Sequence, residues 1–101
     1  MRLREIAHSR TGDKGNLSTI SVIVYKKTDY EIICKKVTKE VVLHHFASIG
    51  ATKVERYELP QLGALNFVLY NTLDGGVTRS LALDIHGKTL SSFMLELELE
   101  E

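Results

Sequence analysis

The sequence predicts an α+β fold, a two-layer sandwich in which helices cover one face of a mixed four- to five-stranded sheet. Three observations point there. Residues 17–25, Leu-Ser-Thr-Ile-Ser-Val-Ile-Val-Tyr, are rich in β-branched and aromatic side chains, the composition of a strand. Two stretches with apolar residues at helical spacing follow it. The last third of the chain alternates apolar and polar residues with the period of a strand. With 101 residues, 44% of them apolar, the chain fits one domain over 1–101 with a modest core.

Taken in order, residues 2–8 read as a short strand that delivers His8 into a polar loop. In strand 17–25, the apolar run Val22-Ile23-Val24 suggests burial on both faces and a central position. Thr28 or Asp29 can cap a helix carrying Tyr30, Ile33, Cys34 and Val37 at i, i+3, i+4 and i+7, although its β-branched content also suits a strand. Thr38 marks the next N-cap, ahead of a Val42, Phe46 and Ile49 stripe that ends at Gly50. Residues 53–59 alternate as a strand. Pro60 then opens a helix whose buried stripe is Leu62, Leu65, Leu69 and Leu73, stopped by Gly75-Gly76. Leu81, Leu83 and Ile85, then Phe93, Leu95, Leu97 and Leu99, form a closing hairpin with a bulged turn at His86-Gly87. The order is β-β-α-α-β-α-β-β, ferredoxin-like in layout, with both crossovers right-handed.

Thirteen basic residues balance thirteen acidic ones. That neutrality argues against a nucleic-acid or anionic-membrane partner, which needs a basic face, and removes the repulsion that keeps subunits apart. Cys34 is the single cysteine, so no internal disulfide forms and a reducing compartment suits the chain. Met1-Arg2-Leu3-Arg4-Glu5 lacks a signal-peptide pattern and no apolar run has membrane-spanning length, which together predict a cytoplasmic protein.

The chemistry concentrates in Ala7-His8-Ser9-Arg10-Thr11-Gly12-Asp13-Lys14-Gly15-Asn16. A bend punctuated by two glycines lets backbone amides converge on an anion, with Arg10 and Lys14 supplying charge. Arg10, Thr11, Gly12, Lys14, Gly15 and Asn16 are the candidate anion-binding residues. The spacing of a nucleotide-binding Walker loop is absent. The alternative is a turn satisfied internally by Asp13. His8, Asp13 and Lys14 are the candidate proton-transfer residues, with a His8–Asp13 pair closing across the turn. Arg56 and Glu58 share a strand face as an ion pair or as part of a partner surface, beside Tyr57, and Asn66 interrupts its helix stripe as a polar tie to the 9–16 loop or to Tyr57. Adjacent His44 and His45 diverge on a helix and make a poor metal pair, and His86 fits a turn; no metal or cofactor is expected. Cys34 reads as a small core residue.

The Ala7–Asn16 segment is similar to the acyclic-terpene-utilisation AtuA-like family, specifically its small C-terminal ferredoxin-fold domain. So are Val54-Glu55-Arg56-Tyr57-Glu58-Leu59-Pro60, Ala64-Leu65-Asn66-Phe67-Val68-Leu69 and Gly75-Gly76-Val77-Thr78-Arg79-Ser80-Leu81 with Asp84 and Gly87-Lys88. In that family this domain follows a much larger N-terminal domain or is encoded beside it as a separate protein. The resemblance implies a subunit that is not active alone, with a larger AtuA-like protein as partner, associated with acyl-CoA, terpenoid or branched-acid breakdown. A coenzyme A ester would then be a substrate and not a cofactor. Hydration or lyase chemistry suits a carboxylate substrate, but no residue here selects it. The rival expectation is a homo-oligomer that binds a small anion without catalysis, joined through a bare sheet face that carries or hides Val54 and Leu97.

Overall fold

The computed structural model describes residues 1–14, 17–47, 50–70 and 90–99. Four strands, β1 (Ala7–Lys14), β2 (Leu17–Val24), β3 (Lys53–Leu59) and β4 (Ala64–Tyr70), form one sheet in the order β1-β2-β4-β3. Helices α1 (Tyr30–Lys36), α2 (Lys39–Phe46) and α3 (Leu90–Leu95) bury residues in the same core cluster as the sheet. The α+β, ferredoxin-like class is therefore the one observed.

Every neighbouring pair of described strands is antiparallel, so this part of the sheet is not mixed. The connection from β2 through α1 and α2 returns to β3, which runs parallel to β2. The two do not touch, because β4 is inserted between them.

Alternation sets the layers. On β2 the even residues Ser18, Ile20, Val22 and Val24 are buried while the odd ones are only partly so. The strand is central as expected, but Ile23 is half-buried on the second face, so burial is one-sided. The inter-strand pairs carry the same face to Ala7 on β1, to Leu65, Phe67 and Leu69 on β4, and to Val54 on β3. Helix residues Ile33, Val42, Phe46, Leu90 and Met94 close over them, each 5% exposed or less. Val54 and Leu97 thus belong to the core and not to the bare face.

Four local expectations change. The helix expected to open at Pro60 is instead a strand at 64–70: Pro60–Leu62 form a single 3-10 turn, Gly63 takes the left-handed conformation at φ 61°, and β4 returns along β3 as a hairpin. The β-branched and aromatic side chains of Phe67-Val68-Leu69-Tyr70, with burial at alternate positions, outweigh the leucine spacing. Residues 90–95 are helical, where a strand was expected; Leu97 and Leu99 then bury beside a bridge from Glu98 to Arg2. At the start, Leu3–Glu5 form a 3-10 turn and the strand begins at Ala7. The polar loop after it is itself β1, extended as far as Lys14. The hairpin arm 81–85, its His86-Gly87 turn, Leu73, Gly75-Gly76 and Ile49 lie outside the described residues.

The helix pair matches its sequence signals. Thr38 caps α2 by accepting from the Val41 amide at 3.2 Å, while Asp29 precedes α1 without a side-chain cap bond. His44 is exposed. His45 is not: its ring stacks on Phe93 at 4.3 Å, and its Nε2 lies 2.7 Å from the Phe93 carbonyl oxygen, joining α2 to α3.

Candidate functional site

The strand register assembles a polar row on the sheet face away from the helices. Arg10 pairs with Ser21, Ser21 with Asn66, and Asn66 with Tyr57, so one residue from each strand lines up across the sheet. At about 4.8 Å between strands the row spans roughly 14 Å. Arg10 and Tyr57 are exposed at its ends, and Ser21 and Asn66 are half-buried at its centre. The Ser21 hydroxyl donates to Asn66 Oδ1 at 3.2 Å, which leaves the Asn66 NH2 to donate elsewhere. Arg10 has no ion-pair partner among the described residues.

Rows on either side differ in character. Toward one end come His8, Ile23, Ala64 and Leu59. His8 stacks on Tyr25 with ring centroids 5.4 Å apart, and Tyr25, Leu59 and Leu62 are exposed. Toward the other end come Gly12, Thr19, Val68 and Glu55, then Tyr70 and Lys53. Here Glu55 Oε1 accepts hydroxyl hydrogens from Tyr57 at 3.0 Å and Tyr70 at 3.1 Å. Those two donors, Tyr57 foremost, hold the Glu55 carboxyl below its ordinary range, and the same contact raises Tyr57 above the ordinary phenol value. Lys53 Nζ completes the cluster, 3.6 Å from Glu55 Oε2 and 4.9 Å from the Tyr70 ring centroid.

The amide nest expected at residues 10–16 does not form through Lys14, because this backbone is a ladder. Tyr25 donates its amide to the Ile6 carbonyl at 3.0 Å, and antiparallel alternation then aims the His8, Arg10 and Gly12 amides at β2. The Ser9 and Thr11 amides face the opposite edge, and the Ser9 hydroxyl donates to the Ser91 carbonyl at 3.2 Å. Gly12 is a close-approach glycine: a Cβ there would stand 2.8 Å from Thr19 Oγ1, and that hydroxyl donates to the Gly12 carbonyl at 3.4 Å. Thr11 Oγ1 is buried without a partner among the described residues. His8 and Asp13 lie five residues apart on one extended strand, roughly 17 Å at 3.3 Å per residue, so they do not pair across a turn. Asp13 and Lys14 stand in the ladder opposite Ser18 and Leu17, while Gly15 and Asn16 lie outside the described residues.

Arg56 and Glu58 do share a face and pair at 3.3 Å, but on the helix side of edge strand β3. Arg56 also donates to the Cys34 carbonyl at 3.0 Å, tying β3 to α1. Their role here is to fasten layers, and of the 56–58 trio only Tyr57 reaches the open face. Asn66 stands on a strand and not in a helix stripe. It lies opposite Tyr57, and its side chain is tied to Ser21 and not to the 9–16 segment. Burial, then the neighbouring Cys34 side chain, pushes the Tyr30 hydroxyl up to about 12. Ser21, Thr19 and Glu55 are members of the face that sequence reasoning did not single out. The signal for the first two was the alternation Leu17, Thr19, Ser21, Ile23, which sets small polar residues at the centre of one face.

Among the described residues no group of three His, Cys, Asp or Glu could hold a metal ion, and no helix is long and apolar enough to cross a membrane. Comparison with known proteins finds no match among curated proteins and none among solved structures. A family model described as the AtuA ferredoxin-like domain matches residues 1–100, nearly the whole chain, including every strand of the polar row. The chain therefore belongs to the AtuA ferredoxin-like domain family.

Proposed function

We propose that this chain is a non-autonomous small subunit that docks its open sheet face on a second chain and holds an anionic group, a carboxylate or a coenzyme A phosphate, at Arg10. The observation that carries the proposal is the row Arg10, Ser21, Asn66 and Tyr57. A guanidinium without an ion-pair partner among the described residues, in one row with the Asn66 amide two strands away, offers a carboxylate its charged contact. On sequence grounds Lys14, Gly15 and Asn16 are proposed with Arg10 for the same anion. His8, two residues from Arg10, is the proton-transfer candidate on this face. The larger AtuA-like protein of the family resemblance is the partner, and breakdown of an acyl-CoA, terpenoid or branched acid is the setting. The exposed Tyr25, Tyr57, Leu59 and Leu62 give such a partner apolar area to cover.

Calorimetric titration with coenzyme A, acyl-CoA esters and simple carboxylates tests the ligand, alone and with the larger protein present. Replacing Arg10 with alanine should weaken binding about tenfold or more, the scale of one charged hydrogen-bonded contact. Absence of binding to every anion, together with no complex by light scattering, would refute the proposal.

A further inference from the structure

We propose that the open sheet face is self-complementary and that a second copy of this chain docks on it, with the two-fold axis running along the strands between the sheets. The inference rests on the reading that this face is a docking surface: a second copy covers it when the larger protein is absent, and the two partners compete for the same face and for Arg10. Two asymmetries of the face select the axis. Across the strands, the cation Arg10, unpaired among the described residues, lies on β1, and the carboxylate of Glu55, with Lys53 3.6 Å away, and the Tyr57 ring lie on β3 at the opposite side of the described sheet. Along the strands, Ile23, Ala64 and Leu59, with Tyr25 stacked on His8, gather at one end, and Thr19, Glu55 and Lys53 at the other.

A two-fold rotation about the strand direction exchanges β1 with β3 and leaves position along the strands unchanged. It sets Arg10 of each copy over Tyr57 of the other, one row from Glu55 of the other, so both contacts are made twice, as an isologous interface requires. Gly12, with no side chain, lies opposite Glu55 of the second copy and leaves room for that carboxylate. The apolar ends meet each other, and the Ser21–Asn66 pair meets its own counterpart at the axis. A rotation about the perpendicular in-plane direction would lay apolar ends on polar ends and β1 on β1, wasting both matches. Sheets packed face to face cross at about 30°, which keeps these rows within side-chain reach near the axis.

Light scattering and sedimentation across a concentration series should find a dimer. Arg10→Glu should raise its dissociation constant about tenfold or more by opposing Glu55, and the double variant Arg10→Glu/Glu55→Arg should restore it to within about threefold. Tyr57→Ala should weaken the dimer with circular dichroism unchanged, a control for loss of fold. A monomer at every concentration, or a dimer indifferent to Arg10→Glu and Tyr57→Ala, overturns the inference. A monomer that still binds the larger family protein or a carboxylate sinks self-association and leaves the proposed function standing; a dimer that binds neither does the reverse.

Discussion

Replacing Phe67 with alanine is the most direct test of the β4 hairpin. Phe67 is 0% exposed at the centre of the sheet, between Ile20 on β2 and Arg56 on β3. Truncating such a ring costs about 3–5 kcal/mol, from the lost burial and the cavity left behind. For a chain of this size that is a large part of a total of about 5–15 kcal/mol, and at about 4–8 °C per kcal/mol the midpoint should fall by at least about 12 °C. Leu62 supplies the contrast. It is 64% exposed on the turn before β4, so Leu62→Ala removes only about a third of a burial worth about 1.5–3 kcal/mol. A helix through this segment would reverse the ranking, since Leu62 would then share the buried stripe with Leu65 and Leu69 and Phe67 would lie off it. Urea unfolding followed by far-ultraviolet circular dichroism measures both. If Leu62→Ala costs as much as Phe67→Ala, or more, the strand assignment is refuted.

Thr38→Ala should lower the stability by about 1 kcal/mol, read as a lower urea midpoint at unchanged slope, since only the cap bond to the Val41 amide is lost. In a tyrosinate absorbance titration, a step near pH 12 should belong to Tyr30, and Tyr30→Phe should delete it. Because its folded value is raised, the stability it contributes is whole below the ordinary phenol value of about 10 and is lost as pH climbs toward 12. Glu55 works in the opposite sense. Its lowered value gives a contribution present above the ordinary carboxyl range and lost as pH falls through the folded value, and Glu55→Gln should flatten the acid limb of a melting-temperature profile.

What the sequence made legible follows from which forces are local. Helices α1 and α2 were readable because a cap at Thr38 and a 3.6-residue apolar period are written within a dozen residues. Strands β2 and β3 were readable from β-branched content and alternation. The β1 segment was not, because His-Ser-Arg-Thr-Gly-Asp has the composition of a turn; it becomes a strand only through its partner β2, and Gly12 is chosen by the Thr19 side chain seven residues away. The 64–70 and 90–95 segments failed for mirrored reasons. Leucines at 62, 65, 69 and 73 happen to keep helical spacing across a strand, and Phe93, Leu95, Leu97 and Leu99 keep strand spacing through a helix and the segment after it. In both, burial against distant elements overrides the local pattern. The site was half legible: Arg10, His8, Tyr57 and Asn66 were singled out, but the register that lines up Arg10, Asn66 and Tyr57, and recruits Ser21, is a property of four paired strands.

The contact between His45 and the Phe93 carbonyl makes one side chain the latch between two helices. A carbonyl oxygen offers only lone pairs, so Nε2 must be the nitrogen that carries hydrogen. The same ring lies stacked on Phe93, so one side chain supplies both the hydrogen bond and the flat face that hold the second helix to the third. Glutamine could still donate to that carbonyl through its NH2, so His45→Ala, which removes donor and ring together, is the way to spring the junction.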